Sequence, residues 1–342
     1  MIVGASLIAG CGGSASDPSS ADGASDQRVT LYTSVDDVFA RMVVERFEQE
    51  TGIEVDMLGD TEATKTTGLI TRLQSEKDDP RCDVWWSSEP MGTIQLARDG
   101  VLKAGAMEET VTPDWPRRLR ATDWSWVGTA LRSRVIVYAP GRVDLVPMTM
   151  AQLANPEFKG RIGMARPQFG TTRIHMALLA AQWGMDDFEQ WLQALKANGV
   201  RLYDGNATVV RAVAMGEIDI GLTDTDDVWA GEENGWEVDL VREIPAEHPR
   251  WPSVGETLIP NTVAVVRGGP NPDPALRLAA YLVSPEVEQM LYESTSGNLP
   301  VNPGLRVVSG VAPLDEEALP DPVAASELVE RAIDACERIL GP

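Results

Sequence analysis

The segment VTLYTSVDDVFARMVVERFEQETGIEVDML, residues 29–58, contains the pattern that decides the fold. Apolar and β-branched residues from Val29 to Tyr32 predict a strand, and apolar residues at helical spacing predict a helix from Val38 to Thr51. Gly52 ends this helix, and a second strand is predicted over Ile53 to Leu58. A strand, a helix and a strand in this order are typical of a parallel βαβ unit.

The same alternation continues towards the C-terminus. The spacing of apolar residues predicts a helix over Thr64 to Glu76, a strand over Asp83 to Ser87 and a helix over Met91 to Asp99. Repeated strands and helices of this length predict a mostly parallel sheet with helices on both faces. Ligands of such sheets bind beyond the carboxyl ends of the strands, so binding residues are expected there.

Two long β-like runs, Val127 to Tyr138 and Thr257 to Arg267, flank a second α/β series. We interpret them as strands that carry the chain from one lobe to the other and back. The predicted fold class is therefore α/β, with two lobes, each a mostly parallel sheet flanked by helices, joined by crossover strands. Amphipathic helices are predicted from Pro274 to Ser294 and from Val323 to Ile339. The predicted parts are lobe one (residues 28–134 and 262–300), lobe two (residues 135–261) and a C-terminal helical segment (residues 301–342).

The composition indicates a globular protein with an acidic surface. Of the 342 residues, 43% are hydrophobic and 24% are charged, which is ample for two lobes with separate cores. The formal net charge of -23 argues against a nucleic-acid partner, because binding to polyphosphate requires a clustered excess of Lys and Arg. Beyond the N-terminus, no apolar run approaches the roughly 20 residues that span a bilayer.

The N-terminus, Met1 to Cys11, is a short apolar run that ends in small residues and a cysteine. This pattern is typical of a lipobox, in which the Cys11 thiol takes a diacylglyceryl group and becomes the mature N-terminus. The Gly- and Ser-rich residues 12–27 predict a disordered tether, because they bury too little apolar surface to fold. We expect an extracytoplasmic protein that contacts the membrane only through this lipid. No Lys or Arg precedes the apolar run, which leaves an upstream start codon open. The alternative interpretation of the segment is a buried apolar strand.

The remaining cysteines and the histidines do not indicate a metal site. With Cys11 lipidated, Cys82 and Cys336 remain, and they predict either a disulfide or two separate buried thiols. The histidines are His175 and His248, and the cysteines lack paired metal-binding spacing, which disfavours a site built from Cys and His. His175 lies on a predicted helix and is interpreted as a structural residue.

Four segments together carry a family resemblance: Leu31–Ser34, Arg46–Ile53, Asp83–Trp86 and Arg134–Tyr138. In this order and spacing, the chain resembles the ferric-iron-binding branch of the periplasmic solute-binding proteins from about Val29 to Pro303. The resemblance implies the periplasmic-binding-protein type 2 fold, with a ligand between the lobes and hinges at Arg134–Tyr138 and Ile259–Val265. It also implies delivery of the ligand to an ABC permease driven by an ATPase, and we expect the receptor to be a monomer.

The resemblance implies a metal site, but the family's ligands are only partly present. Iron-binding members use a His, a Glu and an adjacent Tyr pair, and no adjacent Tyr pair occurs in this sequence. The corresponding positions here are Asp36, Glu62, Asp226 and Asp227. Four carboxylates offer only oxygen ligands, which suit a hard cation such as Fe³⁺ or a divalent ion, and they repel one another unless a cation lies among them. The alternative is an organic cation held against aromatic faces, for which the candidates are Trp85, Trp86 and Trp229.

A structural role is the alternative for these acidic residues. Asp224 to Asp227 lie where a predicted strand ends and a helix begins, and Asp is favoured as an N-cap and in the first helical turn. Taken singly, Asp36 and Glu62 are also explained without a ligand. Their joint match to the family positions is what favours a cation site.

An anion site is predicted beside the carboxylates. The turn Pro167–Thr172 precedes a helix, and the unpaired N–H groups and dipole at a helix N-terminus attract anions. In the resembling family a synergistic anion binds there, and Arg132 or Arg134 would complete the pocket; helix capping and turn chemistry are the alternatives. The residues expected to contact the anion or ligand are Thr33, Ser34, Ser87, Ser88, Arg134, Gly170, Thr171 and Asn206.

The sequence therefore predicts the substrate-binding component of an ABC importer that captures a metal cation, without a cofactor or catalytic residues. One alternative is a receptor for an organic cation or zwitterion, such as a polyamine, thiamine or an aminophosphonate. Another is a metal-dependent enzyme on the same fold, since a divalent ion held by carboxylates activates water. A chemoreceptor partner without a permease is the third. The sequence lacks a nucleophile motif and a Walker-type phosphate loop, which favours a binding protein over an enzyme.

Overall fold

The computed structural model describes residues 1, 27–59, 67–168, 170–316 and 319–341. The strands are β1 (Arg28–Thr33), β2 (Glu54–Gly59), β3 (Val84–Ser87), β4 (Val127–Tyr138), β5 (Ile162–Ala165), β6 (Arg201–Tyr203), β7 (Ile220–Asp224), β8 (Asp239–Arg242), β9 (Pro245–Ala246), β10 (Ser253–Val254) and β11 (Thr257–Val265). The α-helices are α1 (Asp37–Thr51), α2 (Thr67–Ser75), α3 (Pro90–Arg98), α4 (Gly170–Trp183), α5 (Met185–Ala197), α6 (Asn206–Ala214), α7 (Thr225–Glu233), α8 (Pro272–Leu282), α9 (Pro285–Glu293), α10 (Pro303–Val308) and α11 (Pro322–Leu340). Short 3-10 helices lie at Arg117–Leu119, Met150–Ala154 and Pro156–Phe158.

The main sheet runs through both lobes in the order β2-β1-β3-β11-β4-β7-β5-β6, with β8 also paired to β4. β1 is parallel to β2 and β3, and β5 is parallel to β6 and β7, so each half has the predicted βαβ arrangement. β4 and β11 lie between the halves and run antiparallel to their neighbours. The fold is therefore the predicted two-lobed α/β fold with crossover strands.

β4 belongs to both halves of the sheet. Its first part, from Val127 to Arg134, pairs with β11, and its second part, from Arg134 to Tyr138, pairs with β7. The pairing changes at Arg134, which is opposite Asp224 at the end of β7. Side chains near this position lie at the junction of the lobes, although the lobe boundaries themselves stay a prediction.

A β-bulge interrupts β4 at Ala130, where the pairing with β11 shifts between Pro260 and Asn261. Ala130 has φ of 45°, a left-handed conformation that costs a residue with a Cβ atom about 1–2 kcal/mol. The buried Glu288 carboxylate accepts the Ala130 N–H at 3.1 Å, and Asn261 Nδ2 donates to the Ala130 carbonyl at 2.6 Å. These contacts fix the strand just before Arg132 and so fix the face of β4 that its side chain uses.

Separate hydrophobic cores lie beneath the two halves of the sheet. In lobe one, Phe47 of α1 packs with Trp86 of β3. In lobe two, Trp191 of α5 packs with Ile220 of β7. The C-terminal α11 adds its buried face to the lobe two core and packs mainly against α4 and α5. Each lobe thus has hydrophobic clusters of its own, as the length and composition of the chain allow.

The two cysteines lie in different cores and are free thiols. Cys82 is buried beside β3 in lobe one, and Cys336 is buried on α11 against lobe two. Burial raises the pKa of the Cys336 thiol to about 12, which keeps it protonated. Of the two predicted outcomes, the structure has separate buried thiols and no disulfide between them.

The single helix predicted from Pro274 to Ser294 is wrong, because the structure has α8 and α9 in its place. Ser284 caps α9 by accepting the Val287 N–H at 3.3 Å, and Pro285 is the first residue of that helix. Proline lacks an N–H and clashes within a helix interior, but it is well suited to the first position. The amphipathic spacing continues across the break and hides it.

The N-terminal predictions lie outside the described residues. This applies to the lipobox with Cys11 and to the tether at residues 12–27 except Gln27. Among the residues that are described, no helix has both the length and the apolar character needed to cross a membrane.

Candidate functional site

A cleft of about 430 Å³ lies at the junction of the lobes, beside β4. Lobe one contributes the starts of α1 and α3, and lobe two contributes the first turns of α4, α6 and α7. Each of these helices follows the carboxyl end of a strand, which is where ligands of parallel sheets bind. Its charged lining residues are Asp36, Glu89, Arg132, Arg166, Asp204, Asp224, Asp226 and Asp227.

Three carboxylates gather where β7 ends and α7 begins. Asp224 is the last residue of β7 and the N-cap of α7, and Asp226 and Asp227 lie in the first turn of that helix. One carboxylate oxygen from each of the three lies within 4.8 Å of the other two. Asp224 makes no side-chain capping hydrogen bond. Helix capping therefore does not explain its carboxylate.

Asp224 is instead bound by a buried arginine and two polar side chains. Arg134 Nη1 donates to Asp224 Oδ1 at 2.8 Å. Thr171 Oγ1 and Asn206 Nδ2 donate to Asp224 Oδ2 at 2.5 and 2.9 Å. Arg134 has no exposed surface and does not line the cleft. We predicted that Arg134 contacts the ligand, but in the structure its guanidinium is buried and forms an ion pair with Asp224 instead.

His175 supports the same buried pair. Its Nδ1 accepts a hydrogen bond from Arg134 Nε at 3.3 Å, and the imidazole has no exposed surface. Burial, followed by the charge of Arg134, holds the pKa of His175 well below its ordinary value. The neutral ring can accept this hydrogen bond, so His175 has a structural role here.

Arg132 and Asp226 form a looser pair. Arg132 lies on the same face of β4 as Arg134, and its Nε is 3.7 Å from Asp226 Oδ2. Arg132 is only 8% exposed, yet its Nε and Asp226 Oδ1 find no hydrogen-bond partner in the described part of the chain. Burial opposes the charge on Arg132, but the surrounding carboxylates raise its pKa above the ordinary value. Buried polar atoms without partners are rare in native proteins, so this pair marks a place where a ligand would supply contacts.

The carboxyls of Asp226 and Asp227 resist ionisation in the absence of a cation. Burial and then the neighbouring carboxylates raise the pKa of Asp227 well above its ordinary value. Burial also raises the pKa of Asp226, although Arg132 opposes the shift. Asp227 Oδ2 accepts a hydrogen bond from Thr223 Oγ1 at 3.1 Å, which only partly offsets its burial. A cation among these oxygens would relieve both the desolvation and the repulsion.

Asp36 faces the same space from lobe one. It is the N-cap residue of α1 and lines the cleft. Its charge acts on both Arg132 and Asp226. Glu62, the remaining predicted cation ligand, lies outside the described residues. The structure therefore brings Asp36, Asp226 and Asp227 to one cleft.

The predicted anion residues also reach the cleft. Gly170 and Thr171 begin α4, Asn206 begins α6, and all three line the cleft. The first N–H groups of a helix have no partner within that helix, so two positive helix ends meet in one space. The side chains of Thr171 and Asn206 bind each other at 2.8 Å as well as Asp224. An anion would therefore meet the backbone N–H groups and Arg132.

The strand ends of lobe one contribute less than the sequence predicts. Ser88 lines the cleft, whereas Thr33, Ser34 and Ser87 are buried behind the described lining. Thr33 Oγ1 accepts the Val35 N–H at 3.1 Å, and the hydroxyls of Ser34 and Ser87 lie 3.1 Å apart. Turn chemistry, the alternative for these residues, accounts for Thr33 and Ser87, whose hydroxyls accept the N–H two residues on, whereas the Ser34 hydroxyl accepts the Ser88 N–H from the neighbouring strand end.

Two of the three aromatic candidates for an organic cation are fully buried. Trp85 and Trp86 have no exposed surface, because β3 is a central strand with both faces covered. Trp229 is half-buried on α7, and the Arg242 guanidinium lies 5.9 Å from the centre of its ring. An aromatic cage is therefore not formed by these residues.

Sequence reasoning missed Glu89, which lines the cleft next to Ser88. Its carboxylate caps α3 by accepting the N–H groups of Met91 at 2.5 Å and Gly92 at 2.9 Å. Burial raises the pKa of Glu89 despite these two donors. The signal that could have found it is an acidic residue immediately before Pro90 at the start of a predicted helix.

A family match covers the chain from β1 to the end of α9. A family model described as bacterial extracellular solute-binding protein matches residues 28–294. Iron uptake protein A1 of Synechocystis sp. is 26% identical over 322 residues, which cover 92% of this chain and 87% of that protein. The Fe(3+)-binding periplasmic protein of Serratia marcescens is 30% identical over 201 residues, which cover 58% of this chain and 56% of that protein.

A solved structure has the same fold. Iron-bound HitA from Pseudomonas aeruginosa is similar with a TM-score of 0.76 and 23% sequence identity, covering 91% of this chain and 99% of that one. At this identity the likeness concerns the fold. The elements around the cleft therefore belong to an architecture shared over nearly the whole length of both chains.

Proposed function

Because the chain belongs to the family of bacterial extracellular solute-binding proteins, we propose that it captures a hard metal cation in the interlobe cleft and delivers it to a membrane permease. The cation is Fe³⁺ or a divalent ion, and two relatives are named for iron uptake or Fe³⁺ binding. One observation carries the proposal. Asp36 of lobe one and Asp226 and Asp227 of lobe two line a single cleft, and burial raises the pKa of both lobe two carboxyls.

The donor set favours a hard cation. Carboxylates are hard oxygen ligands, and they suit ions such as Mg²⁺, Ca²⁺ and Mn²⁺ as well as Fe³⁺. The described lining of the cleft contains no tyrosine, cysteine or histidine. We therefore expect Fe³⁺, if bound, to lack the visible charge-transfer colour that a phenolate ligand gives.

Closure follows from where the ligands lie. Asp36 is on lobe one, whereas Asp226 and Asp227 are on α7 of lobe two. A cation contacts all of them only when the lobes are together, so it binds the closed state more tightly and shifts the population towards it. Arg134, held by Asp224, keeps the crossover strand in place while the lobes move.

The remaining parts of the proposal concern the anion, the partners and the anchor. The starts of α4 and α6, with Arg132, would hold a synergistic anion beside the cation. The partners are an ABC permease and its ATPase, and the protein acts as a monomeric receptor and not as an enzyme. Lipidation of Cys11 would hold it at the extracytoplasmic membrane surface.

A thermal-shift panel on the full chain, stripped with chelator, tests the cation. The panel contains Fe³⁺, Mn²⁺, Ca²⁺, Mg²⁺ and Zn²⁺, together with spermidine, thiamine and 2-aminoethylphosphonate. A ligand at about 100 times its dissociation constant adds about 2.7 kcal/mol, which should raise the melting temperature by a few degrees. We expect the shift with one or more metals, and we expect Asp226→Asn/Asp227→Asn to abolish it.

Asp204→Asn is the matched control for this variant. Asp204 also lines the cleft, but its side chain is 93% exposed and pairs with Arg166 at 3.3 Å. The metal shift should survive this substitution. A shift with spermidine, thiamine or 2-aminoethylphosphonate and with no metal would contradict the metal ligand while keeping the solute-binding role.

A further inference from the structure

The helix that carries Asp226 and Asp227 also touches lobe one. Trp229 lies on α7 and packs its ring on the backbone of Gly297, in the turn after α9. A Cβ atom added at Gly297 would lie 2.1 Å from Trp229 Cζ3 and 2.8 Å from Cε3, closer than real Cβ atoms approach other atoms. The ring therefore occupies the space that any larger residue at position 297 would need.

Both sides of this contact are anchored in their own lobes. α7 is held in lobe two by Val228, which is fully buried in the core formed with α6 and the second part of β4. Leu291 of α9 lies in the lobe one core, and Ser296 Oγ donates to its carbonyl at 2.9 Å. Leu299, after the turn, bridges to β4. The contact thus joins a side chain fixed to lobe two with a backbone turn fixed to lobe one.

The contact is also coupled to the carboxylates by helix geometry. Residues three apart on a helix lie on the same side of it, so Asp226 and Trp229 share one side of α7. Trp229 does not line the cleft, whereas Asp226 does. Holding the ring against lobe one fixes the rotation of α7 and, with it, the direction of the Asp226 carboxylate.

We propose that Trp229 and Gly297 form an interlobe latch that positions Asp226 and Asp227 on the cation. The ring reaches the turn only when the lobes are together, so the contact stabilises the closed state and slows release of the cation. Trp229 is a positioning residue, because it acts through α7 and not by touching the ligand. The function of the latch depends on the proposed cation site, but the contact itself can be measured without any ligand.

Gly297→Ala tests the latch by placing a methyl group where the ring lies. Small-angle X-ray scattering of the metal-free full chain should give a larger radius of gyration than the wild type, because the closed population is lost. Release of Mn²⁺ and of Fe³⁺ to a chelator, followed by stopped flow, should be about tenfold faster. Trp229→Ala should act in the same direction. The double variant should release metal no faster than the more affected single variant, because both substitutions remove one contact.

Gly235→Ala is the matched control. Gly235 and Gly297 have φ of 76° and 53°, so both substitutions carry the same type of backbone cost, but an added Cβ at Gly235 meets no atom within 4 Å. This control should leave scattering and release rates unchanged. The latch is wrong if Gly297→Ala matches Gly235→Ala in scattering, or if the effects of the two latch substitutions add. If the wild type binds none of the five metals of the thermal-shift panel, the proposed function fails, and the metal-free scattering still decides the latch.

Discussion

Arg134 and Arg132 leave the same face of β4 and each meets an aspartate at the junction of β7 and α7. Arg134 lies 2.8 Å from Asp224, and the arginine side chain has no exposure. Arg132 lies 3.7 Å from Asp226, and these side chains are 9% and 18% exposed. Asp224 accepts further hydrogen bonds from polar neighbours, whereas Arg132 Nε and Asp226 Oδ1 lack partners within the described residues.

This difference distinguishes an ion pair that holds the fold (the scaffold) from an ion pair that can bind a ligand. A buried ion pair is retained at low cost only when hydrogen bonds satisfy its remaining atoms, and the pair of Arg134 and Asp224 meets that condition. The pair of Arg132 and Asp226 does not meet it, so its unpaired hydrogen-bonding atoms can contact a cation or an anion that enters the cleft. The residue types are the same in both pairs, and each of the four side chains is less than a fifth exposed. What distinguishes them is the number of neighbours that reach the carboxylate.

Breaking the saturated pair should have the largest effect. Arg134→Met leaves the Asp224 carboxylate buried among neutral donors, and removing one partner of a buried ion pair costs about 3–5 kcal/mol. Urea unfolding of the metal-free protein at pH 7 should show this loss in the free energy of unfolding. The double variant Arg134→Met/Asp224→Asn should recover part of it, because no unpaired charge remains. A loss under about 1 kcal/mol, as for surface pairs, would contradict the scaffold role.

Glu243 is a buried carboxylate outside the cleft lining, and no ion pair with an arginine occurs for it among the described residues. Glu243 accepts the Met150 N–H at 2.9 Å, and burial raises its pKa from 4.5 to about 7. Below pH 4.5 the group is protonated in both the folded and the unfolded state. As the pH rises from 4.5 to about 7, the unfolded state ionises first, so the protein loses stability across this window.

Glu243→Gln should remove that pH dependence. We expect the free energy of unfolding of the wild type to fall relative to that of the variant by up to about 3 kcal/mol between these pH values. Urea unfolding at several pH values measures the difference, and addition of metal should not alter it. Parallel pH profiles for the two proteins would show that burial without an arginine carries no such cost, and would break the contrast with Asp224.

Most of the fold could be predicted from the sequence, because the spacing of apolar residues agrees with the Gly and Pro residues that end the helices and strands. Apolar spacing and Gly52 give α1 its limits, and β4 has the bounds of the long β-like run that the sequence shows. The break between α8 and α9 was hidden because the apolar spacing continues through Pro285. The bulge at Ala130 has no signal in sequence, since it depends on the Glu288 side chain from a distant helix.

The candidate site could be predicted only in part. The positions of Asp36, Asp226 and Asp227 were predicted from the family resemblance, and in the structure the carboxyl ends of β1 and β7 bring them to one cleft. We selected Arg134 from the sequence as the ligand contact, whereas Arg132 lines the cleft, because alternation places both on one face and the hydrogen bonding of Asp224 depends on Thr171. That threonine lies on α4, so only the tertiary structure identifies which arginine is held by structural contacts and which faces the cleft.

The smallest effect on stability is expected for substitution of Arg132, which tests the pair of Arg132 and Asp226. Arg132→Gln should change the free energy of unfolding of the metal-free protein by under about 1 kcal/mol, because burial already raises the pKa of Asp226, so this carboxyl takes up a proton when the positive charge 3.7 Å away is lost. Removing a positive charge beside Asp226 should raise affinity for Mn²⁺ by about tenfold in a buffer without coordinating anions, by calorimetric titration. Arg132→Lys, which keeps the charge, should stay near the wild type. A loss of stability as large as that of Arg134→Met, or weaker Mn²⁺ binding, would place Arg132 in the scaffold and erase the distinction between the two pairs.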